Sequence, residues 1–518
     1  MTLPRWLRAA TASLVFAGAL AIYLLTLAPT TAFVDSGFLT VAAWSLGNAH
    51  PPGFPLYLLV THLFTILPVG TVALRANVAS AVFAAGACAF VALAIGEALR
   101  STVARVAPPV AGRKKGKAPS PVATGSPTAG LLPLVVAMLT GGLTLASSRT
   151  LWSWATIAEV YALNTFLIAI LVWMSLVWRR TRDTRLLYAI AGLAGLALGV
   201  HHLTMAMALL GIVVLMAAAG GAAFLRSRPL VVSLVIFAVA LVAIYAYLPL
   251  AASHDPPLNW GDPSSFSRIV DHVTAKQYRS YVSTSDQSSQ ADDIVRILGR
   301  DLNAYGLPLF LALAGLIVLV RRDRALFATL AVISLAACVW MLVYPIVNDE
   351  DAYLLPVFVC LAIAAGVGAS SLTRWNAGFA IVLGLPLLAI GLQWEARDRS
   401  GFIAPRLYAE NVLRGIEPDG LLITNDQDLY GALLYYQNAE RMRPDVRVVH
   451  HALLTRSWYL STLEGKHPEL ARRVVAELGA VRTPLALIEA GGPQGEDPAV
   501  RNDFYARLDE LVLALIQT

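Results

Sequence analysis

The feature that most constrains this chain is a recurrence of apolar runs, each about 15 to 22 residues long, between residues 11 and 393. Arginine-rich or Pro/Gly/Asp-rich punctuation bounds each run, which is the pattern of helices that cross a bilayer. Composition agrees: 57% of the 518 residues are hydrophobic, 14% are charged and the mean hydropathy is +0.65. That is too apolar for a soluble multidomain protein. Spans are expected at roughly 11–29, 77–98, 131–147, 162–178, 186–200, 204–220, 230–249, 304–320, 325–343, 353–371 and 377–393, about eleven in all. The run Phe54 to Leu67 is read as a helix lying at the membrane surface, because a crossing there would carry the most basic loop outside.

Charge then orients the chain. Loops holding Arg113 to Lys117, Arg179 to Arg185, Arg226 and Arg228, and Arg321 to Arg324 fall together on the cytoplasmic face, as the positive-inside rule requires. The N-terminus is expected to be cytoplasmic, and its first run is long for a cleaved leader, so an uncleaved helix is expected there. The Pro/Gly/Ser/Lys-rich stretch, within a linker at about 99–130, is flexible and cytoplasmic in this reading. The outward loops are about 30–76 and 250–303, completing a membrane domain over 1–398. Residues 399–518 carry mixed charge at soluble density and read as an outward-facing α/β domain. The excess positive charge of +6 sits in short loops between apolar runs, which excludes nucleic-acid binding. Cys88, Cys338 and Cys360 all lie in apolar runs and form no metal-type spacing.

The first outward loop is the most informative segment. It runs Phe33-Val34-Asp35-Ser36-Gly37-Phe38, then His50-Pro51-Pro52-Gly53-Phe54, then Leu74-Arg75-Ala76-Asn77. A carboxylate at the outer end of the first helix, followed by a His-Pro-Pro turn and a surface helix, resembles the first loop of GT-C glycosyltransferases, including the protein O-mannosyltransferases. The chain is more closely similar to the membrane family that includes the human O-mannosyltransferase acting on IPT domains. The resemblance continues through Glu159-Val160-Tyr161-Ala162-Leu163-Asn164, Gly199-Val200-His201-His202, Tyr247-Leu248-Pro249, Asn259-Trp260-Gly261-Asp262-Pro263 and Arg443-Pro444-Asp445-Val446. Where that family carries a further acidic residue, this chain has Phe38, so Asp35 is the loop's only carboxylate.

The resemblance implies inverting transfer of a sugar, mannose by analogy, from a polyprenyl-phosphate donor to a protein Ser or Thr hydroxyl, with no cofactor and no metal. Such a site needs one base and a cationic cluster for the departing phosphate. Asp35 is the candidate base; its competing role is the N-cap of the following helix. Arg75, lying outside against the charge trend, is the first candidate for the phosphate, and helix-end snorkelling is its competing reading. His50, Lys276 and Arg279 are further phosphate candidates. Glu159, Tyr161, His202, Trp260 and Tyr278 are the candidate substrate contacts. His201 and His202 sit at the outer tip of a helical hairpin, where at most one ring enters a shared cavity. The acidic turn Asn348 to Asp351 carries oxygen ligands suited to a divalent cation, but a solvated turn is the expectation.

In the C-terminal part, strands are expected at Leu421–Thr424, Val446–Leu453 and Leu485–Glu489, and helices from about Leu429, near His467–Leu478 and from Asn502. The loop Thr424 to Asp428 follows the first strand, where open parallel sheets place ligands. The expected partners are a lipid-linked sugar, a secreted or membrane protein acceptor and the bilayer. Two other readings stay open at this point. One keeps the donor and has a lipid or cell-wall glycan as acceptor; the other is a transporter or flippase of lipid-linked sugars, for which midplane charges are the missing sign.

Overall fold

The computed structural model describes residues 3–106, 131–278, 287–344, 349–373 and 376–518. The stretch 107–130, Arg279 and Asn348 lie outside them. The chain opens with α1 (Arg5–Leu25), followed by α2 (Ser36–Ser45), α3 (Pro55–Thr65) and α4 (Val72–Val106). α4 runs well into the region expected as linker. Pro55 starts α3 with a fixed φ at a position whose N–H has no helical partner. At 11 residues α3 is too short to cross a bilayer. It buries Tyr57, Leu58 and Thr61 and leaves Leu59 and Leu63 exposed, as suits a helix lying along the apolar boundary.

α5 (Leu132–Ala146) and α6 (Arg149–Ala155) meet at a 66° bend, where the Ser148 hydroxyl accepts from the Leu151 N–H and caps α6. Then come α7 (Val160–Thr181), α8 (Thr184–Leu225), α9 (Arg228–Tyr245), α10 (Tyr247–Ala252) and α11 (Phe266–Val273). α12 (Gln287–Arg322), α13 (Arg324–Val343), a 3-10 turn Glu350–Leu354, α14 (Leu355–Leu372) and α15 (Asn376–Arg397) complete this part. Among the described residues eight helices are long and apolar enough to cross a membrane, or nine if the bent α5–α6 pair counts as one span. The expectation of eleven differs partly because 186–200 and 204–220 fall in the single element α8. Its backbone leaves the helical region at His201, with φ −150° and ψ 92°. α8 doubles back there: Arg182 reaches the Ala219 carbonyl and the Trp178 and Phe224 rings lie 4.9 Å apart, while Tyr161, at the far end of α7, lies 5.4 Å from His201. The expected span 304–320 is the second half of α12, whose first half occupies part of the expected loop 250–303.

Packing between the long helices relies on small residues. A Cβ on Gly315 would meet the Ala364 carbonyl oxygen at 1.8 Å, and one on Gly368 would meet that of Leu311 at 2.0 Å, so α12 and α14 touch backbone to backbone. At the opposite end from Asp35, charges are paired. Arg179 grips Asp323 through two bonds of 2.9 and 2.8 Å, with both side chains buried, and Asp323 also caps α13. Glu97, 1% exposed inside the expected span 77–98, faces Arg8, Arg100 and Arg180.

The last part contains α16 (Ala404–Arg414), β1 (Leu421–Thr424), α17 (Gln427–Asn438), β2 (Arg447–His450), α18 (Ser457–Lys466), α19 (Pro468–Arg473), α20 (Val475–Ala490), α21 (Gly492–Glu496) and α22 (Pro498–Ile516). β1 and β2 pair in parallel, Leu421 opposite Arg447 and Thr424 opposite His450, with α17 as the crossover. The expected strand Leu485–Glu489 is helical instead. Leu478, Val481 and Leu485 are buried at helical spacing, so a helical face outweighs the short apolar run. The expected helix His467–Leu478 is divided at Val474, between α19 and α20, and the expected strand Val446–Leu453 turns into a 3-10 segment from His451. This part seats directly on the first loop: a Cβ on Gly37 would meet the Gly431 carbonyl oxygen at 2.3 Å.

Replacing Asp323 with alanine removes the carboxylate that the buried Arg179 guanidinium grips with two bonds. The expected loss is about 3–5 kcal/mol of stability, read as a lower thermal midpoint in detergent. The double replacement Arg179→Met, Asp323→Leu is expected to recover most of it.

Candidate active site

The site is built on the turn between α1 and α2. Asp35 stands at the N-cap position of α2, yet its side chain makes no capping bond, so the carboxylate is available for other work. Val34, just before it, has φ +64°, a region that a β-branched residue rarely adopts. The Val34 N–H donates to Asp428 Oδ1 at 2.5 Å, which holds this turn from the C-terminal part. Gln427 Nε2 donates to Asp35 Oδ1 at 3.3 Å, and His50 Nε2 lies 3.5 Å from Asp35 Oδ2. One carboxylate oxygen is thus fixed from α17 and the other from the His-Pro-Pro turn. The Asp35 side chain remains 20% exposed.

His50 is itself held. Its ring packs edge-on against Phe54 at 5.0 Å and Trp260 at 6.0 Å. The segment around it is joined to the 250s loop: Asn48 N–H donates to the Leu258 carbonyl, Trp260 N–H donates to that of Asn48, and His272 Nε2 contacts the Ala49 carbonyl. Burial lowers His272 to about 3, so its ring stays neutral and serves as a hydrogen-bonding prop.

Beneath Asp35 lies Glu159. It is 3% exposed, caps α7 through the Val160 N–H at 3.3 Å, and also accepts from the Asp35 backbone N–H. Burial first, then the charges of Asp35 and Asp349, push its carboxyl well above the usual carboxylate range. Asp349 is pushed up to about 7, again mainly by burial and then by Asp35 and Asp351, and it accepts from the Tyr161 hydroxyl. Three carboxyls therefore converge, and two of them, Glu159 and Asp349, are pushed toward the protonated form. Among the described residues no group of His, Cys, Asp and Glu gathers at metal-ligating geometry. The acidic turn instead meets arginines: Arg300 Nη2 bonds Asp351 at 3.0 Å, Arg296 Nη2 bonds Glu350 at 2.7 Å, and Arg399 faces Asp351.

The structure gathers Asp35, His50, Glu159, Tyr161 and Trp260 and leaves other expected site residues elsewhere. Arg75 donates to the Leu67 carbonyl, tying the connection between α3 and α4, and Lys276 is exposed and paired with Asp271 at 3.0 Å. Glu159 is a buried N-cap beneath Asp35, not an open contact for sugar hydroxyls. Of the two histidines at the α8 tip, His201 enters the site: its ring lies against Phe54, Tyr161 and Tyr353, and its Nδ1 meets Thr204 Oγ1 at 2.8 Å. His202 follows the backbone break at His201, and its ring lies 6.4 Å from that of His201. Tyr278 interacts with Tyr353 along the same wall. Gln427, the partner of Asp35, and Asp428, the partner of the Val34 N–H, were not legible in these roles, although their loop stood at the end of the first strand, where ligands are expected.

With this geometry the chain can be compared with known proteins. Residues 35–220 match the protein O-mannosyl-transferase TMEM260 N-terminal domain, and residues 405–470 match TMEM260-associated domain 2. Both parts of the chain are TMEM260-like. Protein O-mannosyl-transferase TMEM260 of Mus musculus is 24% identical over 498 residues, covering 89% of this chain. This chain spans 64% of that relative's length. Among solved structures, ArnT from Cupriavidus metallidurans bound to undecaprenyl phosphate superposes with a TM-score of 0.52 at 15% identity, covering 86% of this chain and 90% of ArnT. Its apo state gives 0.51 at 12% identity with the same coverage. The chain therefore has the GT-C fold of ArnT, and with its long apolar helices it is a multi-pass membrane protein.

The carboxyl cluster makes a pH prediction. Folding raises Asp349 from 3.8 to about 7, so the folded chain holds a proton that the unfolded chain has released between those values. Stability is expected to fall as pH rises through that window and to level off above it. In Asp349→Asn the thermal midpoint should vary less with pH over the same range; an unchanged slope would remove Asp349 from the cluster.

Proposed function

We propose that the chain is an inverting glycosyltransferase. It moves a sugar, mannose by its TMEM260 resemblance, from a polyprenyl-phosphate donor to a Ser or Thr hydroxyl of a secreted or membrane protein, with Asp35 as general base. The observation that carries this reading is Asp35 itself: an uncapped, partly open carboxylate held on one oxygen by Gln427 and near His50 on the other. The name of the mouse relative and the lipid phosphate bound to ArnT support the reaction class.

In this mechanism the acceptor hydroxyl gives its proton to Asp35 while its oxygen attacks the anomeric carbon. The bond from that carbon to the phosphate oxygen breaks on the opposite face, and the lipid phosphate leaves with the electron pair. Raised carboxyl pKa values at Glu159 and Asp349 keep neighbouring negative charge away from the departing phosphate. Arg300 and Arg399 face Asp351 beside the carboxyl cluster, and we assign the phosphate to them, which requires them to exchange present bonds to Asp351 and to Ser153 and Thr156 for it. Cationic side chains provide that neutralisation without a metal or cofactor. The charge pattern supports an orientation with this face and the C-terminal part outside the membrane and the N-terminus cytoplasmic.

Purified full-length chain is expected to release polyprenyl phosphate from a labelled lipid-linked sugar, and Asp35→Asn to slow that release by about 10²–10⁴-fold. Gln427→Leu should cost roughly tenfold, the value of one orienting hydrogen bond. Wild-type turnover in Asp35→Asn sinks the assignment. Movement of intact donor between leaflets without its cleavage would favour a flippase, and transfer only to a glycan or lipid would change the acceptor class.

A further inference from the structure

A second cavity lies outside the carboxyl cluster, in the cleft between the 257–260 loop and the elements α17 and α18. Its volume is about 200 Å³. Trp260 and Trp458 wall it with ring centroids 5.6 Å apart and planes inclined at 37°, and Tyr430 adds a third ring. Aromatic faces of this kind cover the C–H surface of a sugar ring. The polar groups in the cleft are also suggestive. Gln437 spends its Nε2 on the Arg443 and Val446 carbonyls, and Asn438 spends its Nδ2 on the Leu434 carbonyl. Each amide is thereby oriented, and its oxygen is left as an acceptor. The Trp260 side chain is 7% exposed, and its indole N–H is buried without a partner, a donor whose isolation costs free energy until something accepts from it.

Charge narrows the ligand. The cationic residue of the cleft, Lys466, points its Nζ at the Pro256 and Pro257 carbonyls, and no carboxylate lines the wall. An anion would find no uncommitted ammonium, and a metal ion no charged ligand. Stacked rings, fixed amide oxygens and one unsatisfied N–H suit a neutral polyol ring.

We propose that this cleft is a saccharide-binding site that takes one neutral pyranose. Trp260 is a wall shared with the active site, since its other ring neighbours are Phe38 at 5.6 Å and His50 at 6.0 Å. The bound sugar therefore sits about one side chain from the base, and it belongs to the acceptor. Placing it on the acceptor rests on the transferase reading; the binding itself does not.

The test is saturation-transfer NMR on the detergent-solubilised full chain with methyl pyranosides of the manno, gluco, galacto and N-acetylglucosamino series. At least one is expected to receive transfer to its ring protons, and Trp458→Ala to weaken its binding tenfold or more. Asn438→Leu, which removes an acceptor and keeps the volume, should weaken the same ligand and serves as the arm that is independent of folding changes at Trp458. Asp35→Asn should bind it as the wild type does. Absence of transfer to every pyranoside overturns the proposal, and so does a signal that survives both cleft substitutions or disappears in Asp35→Asn. Normal donor cleavage by Asp35→Asn, with saccharide binding intact, would defeat the transferase reading and leave the binding site standing.

Discussion

Everything about the active site depends on the close approach of α2 and α17. At Gly37 and Gly431 the two backbones come so near that no side chain fits between them. That contact brings Gln427 and Asp428 within hydrogen-bond reach of a turn nearly four hundred positions earlier in the chain. Hydrogen bonds fall off steeply with distance and angle, so a small displacement of α17 would free both Asp35 and the strained Val34. The part of the chain beyond the membrane helices is thus a structural half of the active site.

Electrostatics follows from the same assembly. Three carboxyls crowd into a space that the bilayer-facing helices and the C-terminal part keep largely dry. Burial raises the carboxyls of Glu159 and Asp349 there, and repulsion between like charges adds to it. Asp35 keeps contact with solvent and with His50; Glu159 lies under it, sealed by Val160 and Ser80. Differences in burial among chemically similar groups assign their roles, with no need for differences in their intrinsic acidity.

Local signals carried much of this in the sequence. Apolar run length marked the long helices, α3 was legible as a helix too short to cross, and the lone carboxylate of the first loop pointed to the turn where the carboxyls gather. The first strand and its following loop were also legible, because β-propensity and turn chemistry act over a few residues. What could not be read was which side chains pair, whether far apart, as Gln427 with Asp35, or close by. Arg75 and Lys276 looked available although the Leu67 carbonyl and Asp271 that take them lie only a few positions away, because the fold of the intervening turn decides the contact. Leu485 to Glu489 looked like a strand in a short window, but its burial follows Leu478 and Val481 along a helix. His201 and His202 were indistinguishable by composition, and a single backbone break at His201 separates them.

That break has a consequence for how the chain enters a bilayer. The two arms of α8 meet at one non-helical residue, His201, so the hairpin tip carries two imidazoles and little connecting chain. Unsatisfied peptide groups are the dominant cost of moving chain through hydrocarbon. A tight helical hairpin can therefore insert as one unit, each arm sheltering the other.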